Sequence, residues 1–193
     1  MSRDQEPYLI VGLGNPGREY KRNRHNVGFM ALDRLAEQFH TSFTRVSMNA
    51  LVTDTRYRDQ RIYLAKPQTF MNKSGTAVRS LAHFYKLPLS RLLVIYDDVD
   101  LPLGTLRLRP SGGSAGQKGL KSIIQQLGSQ DFPRLRIGIS RPPGRMSVSS
   151  YVLQDFSAAE VESLNHVLVE AVDAVKLYLE EGIEQAMTEV NRT

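Results

Sequence analysis

The chain has 193 residues, a formal net charge of +5 and 41% hydrophobic residues, values typical of one globular domain with a core of its own. It has no cysteine, which excludes disulfides, thiolate metal sites and a cysteine nucleophile. No run approaches the roughly 18 apolar residues of a membrane span, and the N-terminal residues lack the apolar core of a signal peptide. We therefore expect a single cytoplasmic domain over residues 1–193, with no membrane contact.

The first half of the chain predicts a buried strand, a helix and a hairpin. The apolar run Tyr8–Leu13 ends among glycines and indicates a buried strand. A polar, turn-rich segment follows, and from Asn26 apolar residues recur every three or four positions, which predicts an amphipathic helix. Two alternating runs, Leu51–Tyr57 and Arg61–Ala65, flank Asp59-Gln60 and indicate a β-hairpin.

The second half alternates helices with strands. A helical stripe over residues 78–85 is predicted to stop before Pro88. Leu92–Tyr96 indicates another buried strand and Thr105–Arg109 a partly exposed one, and Lys118–Leu127 and Leu135–Ile139 predict a helix and then a strand.

The C-terminal segment has the clearest helical pattern. Ser157 and Glu160 have the spacing of a capping box, and Gly182 is predicted to end the helix that follows. Strands alternating with helices, together with the hairpin, predict an α/β fold. The expected architecture is a three-layer sandwich with a central twisted mixed β-sheet flanked by helices.

Charge is segregated along the sequence. Residues 104–150 hold eight basic residues and one acid, whereas residues 154–193 hold nine acids and two bases. Charged residues are most often solvated surface, but a one-signed segment beside an opposite one creates a directional field that polyanions follow. Nucleic acid is therefore a reasonable partner.

Two short motifs have familiar meanings that their context does not favour. Residues 12–17 match GxGxxG, but Pro16 and several polar residues separate these glycines from the helix, so helix-terminal amides would not meet a pyrophosphate. Residues 112–116 match GxSxG, but two glycines and Pro110 separate Ser114 from its strand, whereas a nucleophile elbow is a sharp strand-to-helix turn. We favour a turn and a substrate-facing loop, with a serine hydrolase as a minor alternative.

Polar residues cluster where α/β proteins place their sites, at strand ends and helix starts. His25 precedes the first helix, Asp97 follows the buried run Leu92–Tyr96, and Asn15 and Asn72 occupy turns. A histidine that accepts a proton from water needs a partner that fixes its tautomer, and a carboxylate supplies one. Side-chain amides can hold a carbonyl or an oxyanion. Each residue alone also has an ordinary reading as a cap, a turn or a solvated group.

Five ordered motifs together resemble the bacterial peptidyl-tRNA hydrolases over roughly residues 8–187. They are Val11-Gly12-Leu13-Gly14-Asn15-Pro16-Gly17 with Tyr20, Arg24-His25-Asn26 and Gly28; Phe70-Met71-Asn72-Lys73-Ser74-Gly75; Asp97-Asp98-Val99-Asp100-Leu101-Pro102; residues 112–123; and Arg134-Leu135-Arg136-Ile137-Gly138-Ile139. The resemblance implies hydrolysis of the ester between a peptide and the 3′-terminal ribose of tRNA, with no metal or organic cofactor and a monomeric protein.

The resemblance also implies roles for individual residues. His25 would be the catalytic base, Asp97 the carboxylate that supports it, and Asn15 the group that distinguishes blocked from free aminoacyl-tRNA. Tyr20, Phe70 and Asn72 would contact the tRNA 3′ end or the peptide. A blocked substrate carries a neutral amide where a free one carries an ammonium. The free energy needed to desolvate the ammonium disfavours binding of the free aminoacyl-tRNA.

Basic residues would contact the RNA backbone of the acceptor arm, reading its shape rather than its sequence. We expect Arg109, Lys121, Arg134 and Arg136 to hold phosphates, and Lys118 to donate to a phosphate or an oxyanion.

One position departs from the family pattern, which has a His-Asn pair before the glycine of the glycine-rich loop. Here Gln117-Lys118 precede Gly119. Lysine cannot accept a hydrogen bond as asparagine can, so we expect activity to survive with altered affinity. A non-catalytic RNA-binding relative is therefore the main alternative to an enzyme.

Overall fold

The computed structural model describes residues 6–192, in which seven strands form one sheet. The spatial order is β2-β3-β4-β1-β5-β7-β6. The strands are β1 (Tyr8–Gly12), β2 (Arg45–Ser47), β3 (Ala50–Tyr57), β4 (Gln60–Pro67), β5 (Leu92–Asp98), β6 (Leu106–Arg109) and β7 (Arg134–Gly138). The four central strands β4, β1, β5 and β7 run parallel, and β2-β3-β4 and β6-β7 pair antiparallel. The predicted mixed sheet is confirmed.

Helices cover both faces of this sheet. They are α1 (Val27–Gln38), α2 (Ser74–Phe84), α3 (Lys118–Leu127), α4 (Val148–Val152) and α5 (Val161–Val190). Alternate residues of β5 enter different cores: Leu93 and Ile95 pack with α1 and α5, whereas Leu92 and Val94 pack with α2 and α3. A strand that is apolar on both faces belongs between two helical layers, so the three-layer sandwich is also confirmed.

The structure corrects three details of the prediction. The hairpin turn consists of Arg58 and Asp59, because Tyr57 pairs with Gln60. The capping box of Ser157 and Glu160 is present, but Gly182 does not end the last helix: it breaks the helix with φ of 81° and ψ of 175°, and the helix resumes as far as Val190. Strand β2 and helix α4 have no counterpart in the prediction, since three and five residues carry too little periodicity.

The glycines after β1 allow the start of α1 to approach the sheet closely. A Cβ on Gly12 would lie 2.2 Å from the carbonyl oxygen of Gly28, and a Cβ on Gly28 would lie 2.5 Å from that of Ile95. This packing brings the turn before α1 onto the carboxyl ends of β1 and β5. Over residues 6–192, every helix is too short or too polar to traverse a lipid bilayer.

Candidate active site

A cleft of about 470 Å³ opens at the carboxyl end of the central parallel strands, the edge where α/β proteins place their sites. Its walls come from the turn after β1, the 3₁₀ turn before α1, the end of β5, the loop and start of α3, and α4. The lining residues include Asn15, His25, Phe70, Met71, Asn72, Asp97, Ser114, Gln117, Lys118, Val148, Val152 and Leu153.

His25 and Asp97 form the hydrogen-bonded pair that the sequence predicted. Nδ1 of His25 lies 2.8 Å from Oδ2 of Asp97, although the two residues are 72 positions apart, and both are buried. A carboxylate accepts and does not donate, so the neutral imidazole carries its hydrogen on Nδ1. Nε2 is therefore the acceptor, and within residues 6–192 it has no hydrogen-bond partner. This nitrogen is available to a ligand in the cleft.

The other oxygen of Asp97 is held by Gln117. Nε2 of Gln117 donates to Oδ1 of Asp97 at 3.0 Å, and Oε1 of the same amide accepts from the backbone N–H of Leu120 at 2.7 Å. Gln117 is the N-cap of α3. In the sequence, Gln117 is visible only as a departure from the family pattern and is not among the predicted site residues. Its N-cap position was a readable signal, but its contact with Asp97 was not.

Asn15 lies in the same cleft and is fixed by its neighbours. The side chain of Asn26 makes two hydrogen bonds to the backbone of Asn15, both at 2.9 Å. The Asn15 N–H donates to Oδ1 of Asn26, and Nδ2 of Asn26 donates to the Asn15 carbonyl oxygen. Oδ1 of Asn15 accepts from the backbone N–H of Met71 at 2.7 Å. The bonds of Asn15 thus run to Asn26 and Met71 rather than to His25. Its amide NH₂ has no partner within residues 6–192, which leaves two donors for a ligand.

The residues predicted to contact the tRNA end lie at the mouth of the cleft. Phe70 and Asn72 line it and are exposed, Phe70 to 58%. Tyr20 lies beside them, its ring edge-on to Phe70 with 6.5 Å between centroids. Lys118 begins α3 and is exposed on the cleft wall. An exposed aromatic side chain at such a rim can stack on an unpaired base.

The predicted phosphate-binding residues divide into two groups. Arg109 and Lys121 are exposed, make no ion pair within residues 6–192 and lie outside the cleft lining. Arg136 is half-buried and pairs with Asp98 at 2.6 Å.

The expectation for Arg134 is wrong. Its side chain is 1% exposed, and its guanidinium donates to the carbonyls of Gly112, Gly113, Gln130 and Phe132. Burial lowers the pKa of Arg134. Arg134 therefore stabilises the glycine-rich loop from within the protein and is not exposed to a phosphate. The prediction was wrong because a run of charge in the sequence does not indicate which of its residues are buried.

Two other chemistries find little support in the geometry. Ser114 lies on the connection between β6 and α3 and does not follow its own strand directly, and within the described residues no hydrogen bond joins its hydroxyl to an imidazole. Residues 6–192 also contain no group of three or more His, Asp or Glu side chains arranged to hold a metal ion.

Comparison with known proteins identifies the family of this chain. The family model for peptidyl-tRNA hydrolase matches residues 9–193. The chain belongs to the peptidyl-tRNA hydrolase family. A peptidyl-tRNA hydrolase of Carboxydothermus hydrogenoformans is 50% identical over 96% of this chain and 98% of its own length. A chloroplastic peptidyl-tRNA hydrolase of Arabidopsis thaliana is also 50% identical, over 97% of this chain, which spans 65% of that longer protein.

The fold of a solved family member agrees as well. The crystal structure of a peptidyl-tRNA hydrolase from Acinetobacter baumannii superposes with a TM-score of 0.91 at 32% identity, covering 100% of this chain and 98% of that one. Several polar residues of the cleft, among them Asn15, His25 and Asp97, were predicted from the sequence. The apolar wall from α4, where Val148 is 43% and Leu153 is 47% exposed, was not predicted, because a five-residue helix has too little pattern to be read.

Proposed function

We propose that this chain hydrolyses the ester bond of peptidyl-tRNA and of N-blocked aminoacyl-tRNA, releasing the peptide and free tRNA. Family membership supports the reaction. The observation that carries the mechanism is the 2.8 Å contact between His25 Nδ1 and Asp97 Oδ2, which leaves Nε2 as an acceptor in the cleft. Water is then the nucleophile, and neither a serine nor a metal is required by the scheme.

The chemistry follows from that orientation. Nε2 of His25 removes a proton from a water molecule as its oxygen bonds to the ester carbonyl carbon, and Asp97 stabilises the imidazolium that forms. We expect the side-chain N–H groups of Asn15 to donate to a substrate carbonyl or to the developing oxyanion. When the bond from carbon to the ribose 3′ oxygen breaks, His25 returns the proton to that oxygen. The products are a peptide carboxylic acid and tRNA with a free 3′ hydroxyl.

We place the tRNA across the mouth of the cleft. The exposed ring of Phe70, with Tyr20 beside it, offers a stacking surface for a base of the unpaired 3′ end. Lys118, Lys121 and Arg109 are exposed cations that suit backbone phosphates. Arg136 is a weaker candidate because Asp98 already occupies its guanidinium. A monomer acting in the cytoplasm remains part of this proposal, and sedimentation with and without tRNA would test the first point.

One assay separates this proposal from its rivals. N-acetylaminoacyl-tRNA and free aminoacyl-tRNA are incubated with wild type, His25→Ala, Ser114→Ala and, as a matched histidine control on the exposed surface of α5, His166→Ala. We expect wild type to cleave only the blocked substrate and His25→Ala to lose about 10²- to 10⁴-fold in kcat. Both control variants should keep wild-type turnover.

Each rival has its own signature in that assay. Full turnover by His25→Ala would overturn the catalytic assignment, and selective loss in Ser114→Ala would point to a serine nucleophile. Wild type that binds tRNA and never cleaves it would be the non-catalytic RNA-binding relative.

A further inference from the structure

Gln117 connects the Asp97 carboxylate to the first turn of α3. It is half-buried and lines the cleft, and its side-chain amide makes two hydrogen bonds in opposite roles: it donates to Oδ1 of Asp97 and accepts from the backbone N–H of Leu120. Asp97 therefore has both carboxylate oxygens engaged, Oδ2 by His25 and Oδ1 by Gln117.

The orientation of this amide is determined by its partners. The backbone N–H of Leu120 can only donate, so the group facing it must be the carbonyl oxygen. The NH₂ group must then face Asp97, whose ionised carboxylate can only accept. Hydrogen bonds from a neutral donor to a charged acceptor are stronger than neutral ones, and this donor is itself anchored to a helix terminus. Sδ of Met71 lies 3.4 Å from the same nitrogen, on the cleft side of the pair.

We propose that Gln117 is a positioning residue for the hydrolysis described above: it fixes the rotation of the Asp97 carboxylate and, through Asp97, directs Nε2 of His25 into the cleft. The inference rests on the proposed function of His25. A carboxylate held at one oxygen can turn about its last side-chain bond, whereas one held at both cannot. A small loss of alignment between a base and its water is enough to reduce turnover by about 10²-fold.

The competing explanation is that Gln117 serves only as the N-cap of α3, and one substitution separates the two roles. In Gln117→Glu, a carboxylate oxygen can still accept from Leu120 N–H, and a negative charge suits a helix N-terminus. The same side chain can no longer donate to Asp97 and instead places a second negative charge beside it.

That charge would act on a cleft whose other ionisable groups are known. Apart from His25 and Asp97, the charged side chains lining it are Asp98, which is paired with Arg136, the pair formed by Asp100 and Arg141, and the exposed Lys118. On the turn that carries His25, Arg24 is paired with Glu160. A new carboxylate near Asp97 favours the protonated imidazole, so the pH at which activity appears should rise.

The experiment measures kcat and KM from pH 5 to pH 9, with thermal unfolding of the same samples, for wild type, Gln117→Glu, Gln117→Met and Gln117→His. We expect Gln117→Glu to be folded at the assay temperature, because the favourable helix cap opposes the new repulsion, to lose about 10- to 100-fold in kcat at pH 7 with little change in KM, and to show its acidic limb displaced upward by about one pH unit. Gln117→Met lacks both bonds and adds no charge, so kcat should fall without that displacement.

Gln117→His is the conservative rescue. A neutral imidazole also has one donor and one acceptor, and it is the residue that the family pattern has at this position. At pH 8, where a histidine of ordinary pKa is neutral, kcat should stay within about threefold of wild type.

The outcomes distinguish this inference from the proposed function. If Gln117→Glu and Gln117→Met both keep wild-type kcat, or if kcat falls only in proportion to lost folded protein with an unmoved pH profile, Gln117 is a helix cap alone. If Gln117→Glu does not fold, Gln117→Met and Gln117→His decide the same question. Full turnover by His25→Ala would instead end the proposed mechanism itself, whatever the Gln117 variants do.

Discussion

Arg24 and His25 are neighbours in the turn before α1, but their side chains belong to two different hydrogen-bond networks. Arg24 belongs to what we call the Arg24 cluster, made of Asn23, Arg24, Asp155 and Glu160. His25 belongs to what we call the His25 cluster, made of His25, Asp97 and Gln117. Both clusters are polar, each includes a buried residue of this turn, and both join distant parts of the chain.

The difference is in what each cluster leaves unpaired. Arg24 donates to Glu160 at 2.8 Å and to the backbone carbonyls of Gln154 and Asp155, and its guanidinium lies 4.2 Å from the ring centroid of Tyr151. Its one unpartnered atom, Nε, is buried and so has no access to a ligand. His25 uses one nitrogen on Asp97 and presents the other to the cleft. A polar group whose hydrogen bonds are all made within the protein stabilises the fold. A polar group that has an acceptor without a partner in a cleft is available for chemistry.

Asp97→Asn is expected to have the largest effect, and it tests whether the two clusters differ in function. Gln117 presents a donor to Oδ1, so the carbonyl oxygen of the new asparagine takes that side and its NH₂ group faces His25. Nδ1 must then accept, which moves the hydrogen to Nε2, and the base can no longer take a proton from water. We expect kcat to fall by about 10³-fold, equivalent to about 4 kcal/mol of barrier.

The matched control is Asp155→Asn, the same chemical change in the Arg24 cluster. Asp155 accepts from Asn23 at 2.7 Å and does not line the cleft, so its kcat should stay within about twofold of wild type. Steady-state hydrolysis of N-acetylaminoacyl-tRNA measures both. Equal losses in the two variants would show that the clusters are not functionally distinct.

The two clusters also show which features of the structure can be predicted from the sequence. Helix α3 was predicted at its observed bounds and the hairpin within a few residues, because a local apolar period encodes each of them. His25 and Asp97 were found through ordered motifs. The adjacency of Arg24 and His25 in the chain gives no indication that one side chain turns toward α5 and the other toward β5.

What the sequence could not supply are contacts between residues far apart whose types have several uses. Gln117 is an ordinary polar residue until the fold places it against Asp97, 20 positions away. Arg134 was predicted to be a phosphate ligand because it lies in a basic segment, but its strand β7 lies between β5 and β6 and its side chain is buried. Charge is visible in a sequence, whereas burial depends on packing.

The next largest effect should come from Arg24→Met, which tests stability rather than chemistry. Removing the guanidinium leaves Glu160 without its ion pair and the carbonyl of Asp155 without the donor it has in wild type, while methionine keeps much of the apolar contact with Tyr151. We expect the free energy of unfolding to fall by about 2–4 kcal/mol, measured by urea denaturation. At a temperature where the variant is folded, kcat should remain within about threefold of wild type.

A surface pair provides the control for Arg24. Arg58→Met removes an exposed arginine that pairs with Glu180 at 3.0 Å, and exposed ion pairs contribute about 0–1 kcal/mol. A loss in Arg24→Met no greater than in Arg58→Met, or a fall in kcat as large as that of Asp97→Asn, would contradict the assignment of Arg24 to the fold.

The smallest effect concerns the pH dependence of the Arg24 cluster through Glu160. Burial alone would raise the pKa of Glu160, but hydrogen bonds from Ser157 and the ion pair with Arg24 lower it overall. A carboxyl with a lowered pKa in the folded state stabilises the fold above its unfolded value of about 4.3, and that contribution is lost as the pH falls through the folded value.

Glu160→Gln should therefore unfold about 0.5–1 kcal/mol more easily than wild type at pH 7, the size of a partly exposed charged cap, with the difference shrinking toward zero as the solution is acidified below pH 4. Glu162→Gln, an exposed change in the first turn of α5 outside the Arg24 cluster, is the control and should lose less stability at pH 7 than Glu160→Gln. Because Glu160 belongs to the Arg24 cluster, the acidic limb of the rate profile should be the same in Glu160→Gln and wild type. A displaced limb would mean that the charge of Glu160 is felt at His25, and the two clusters would then be one electrostatic unit.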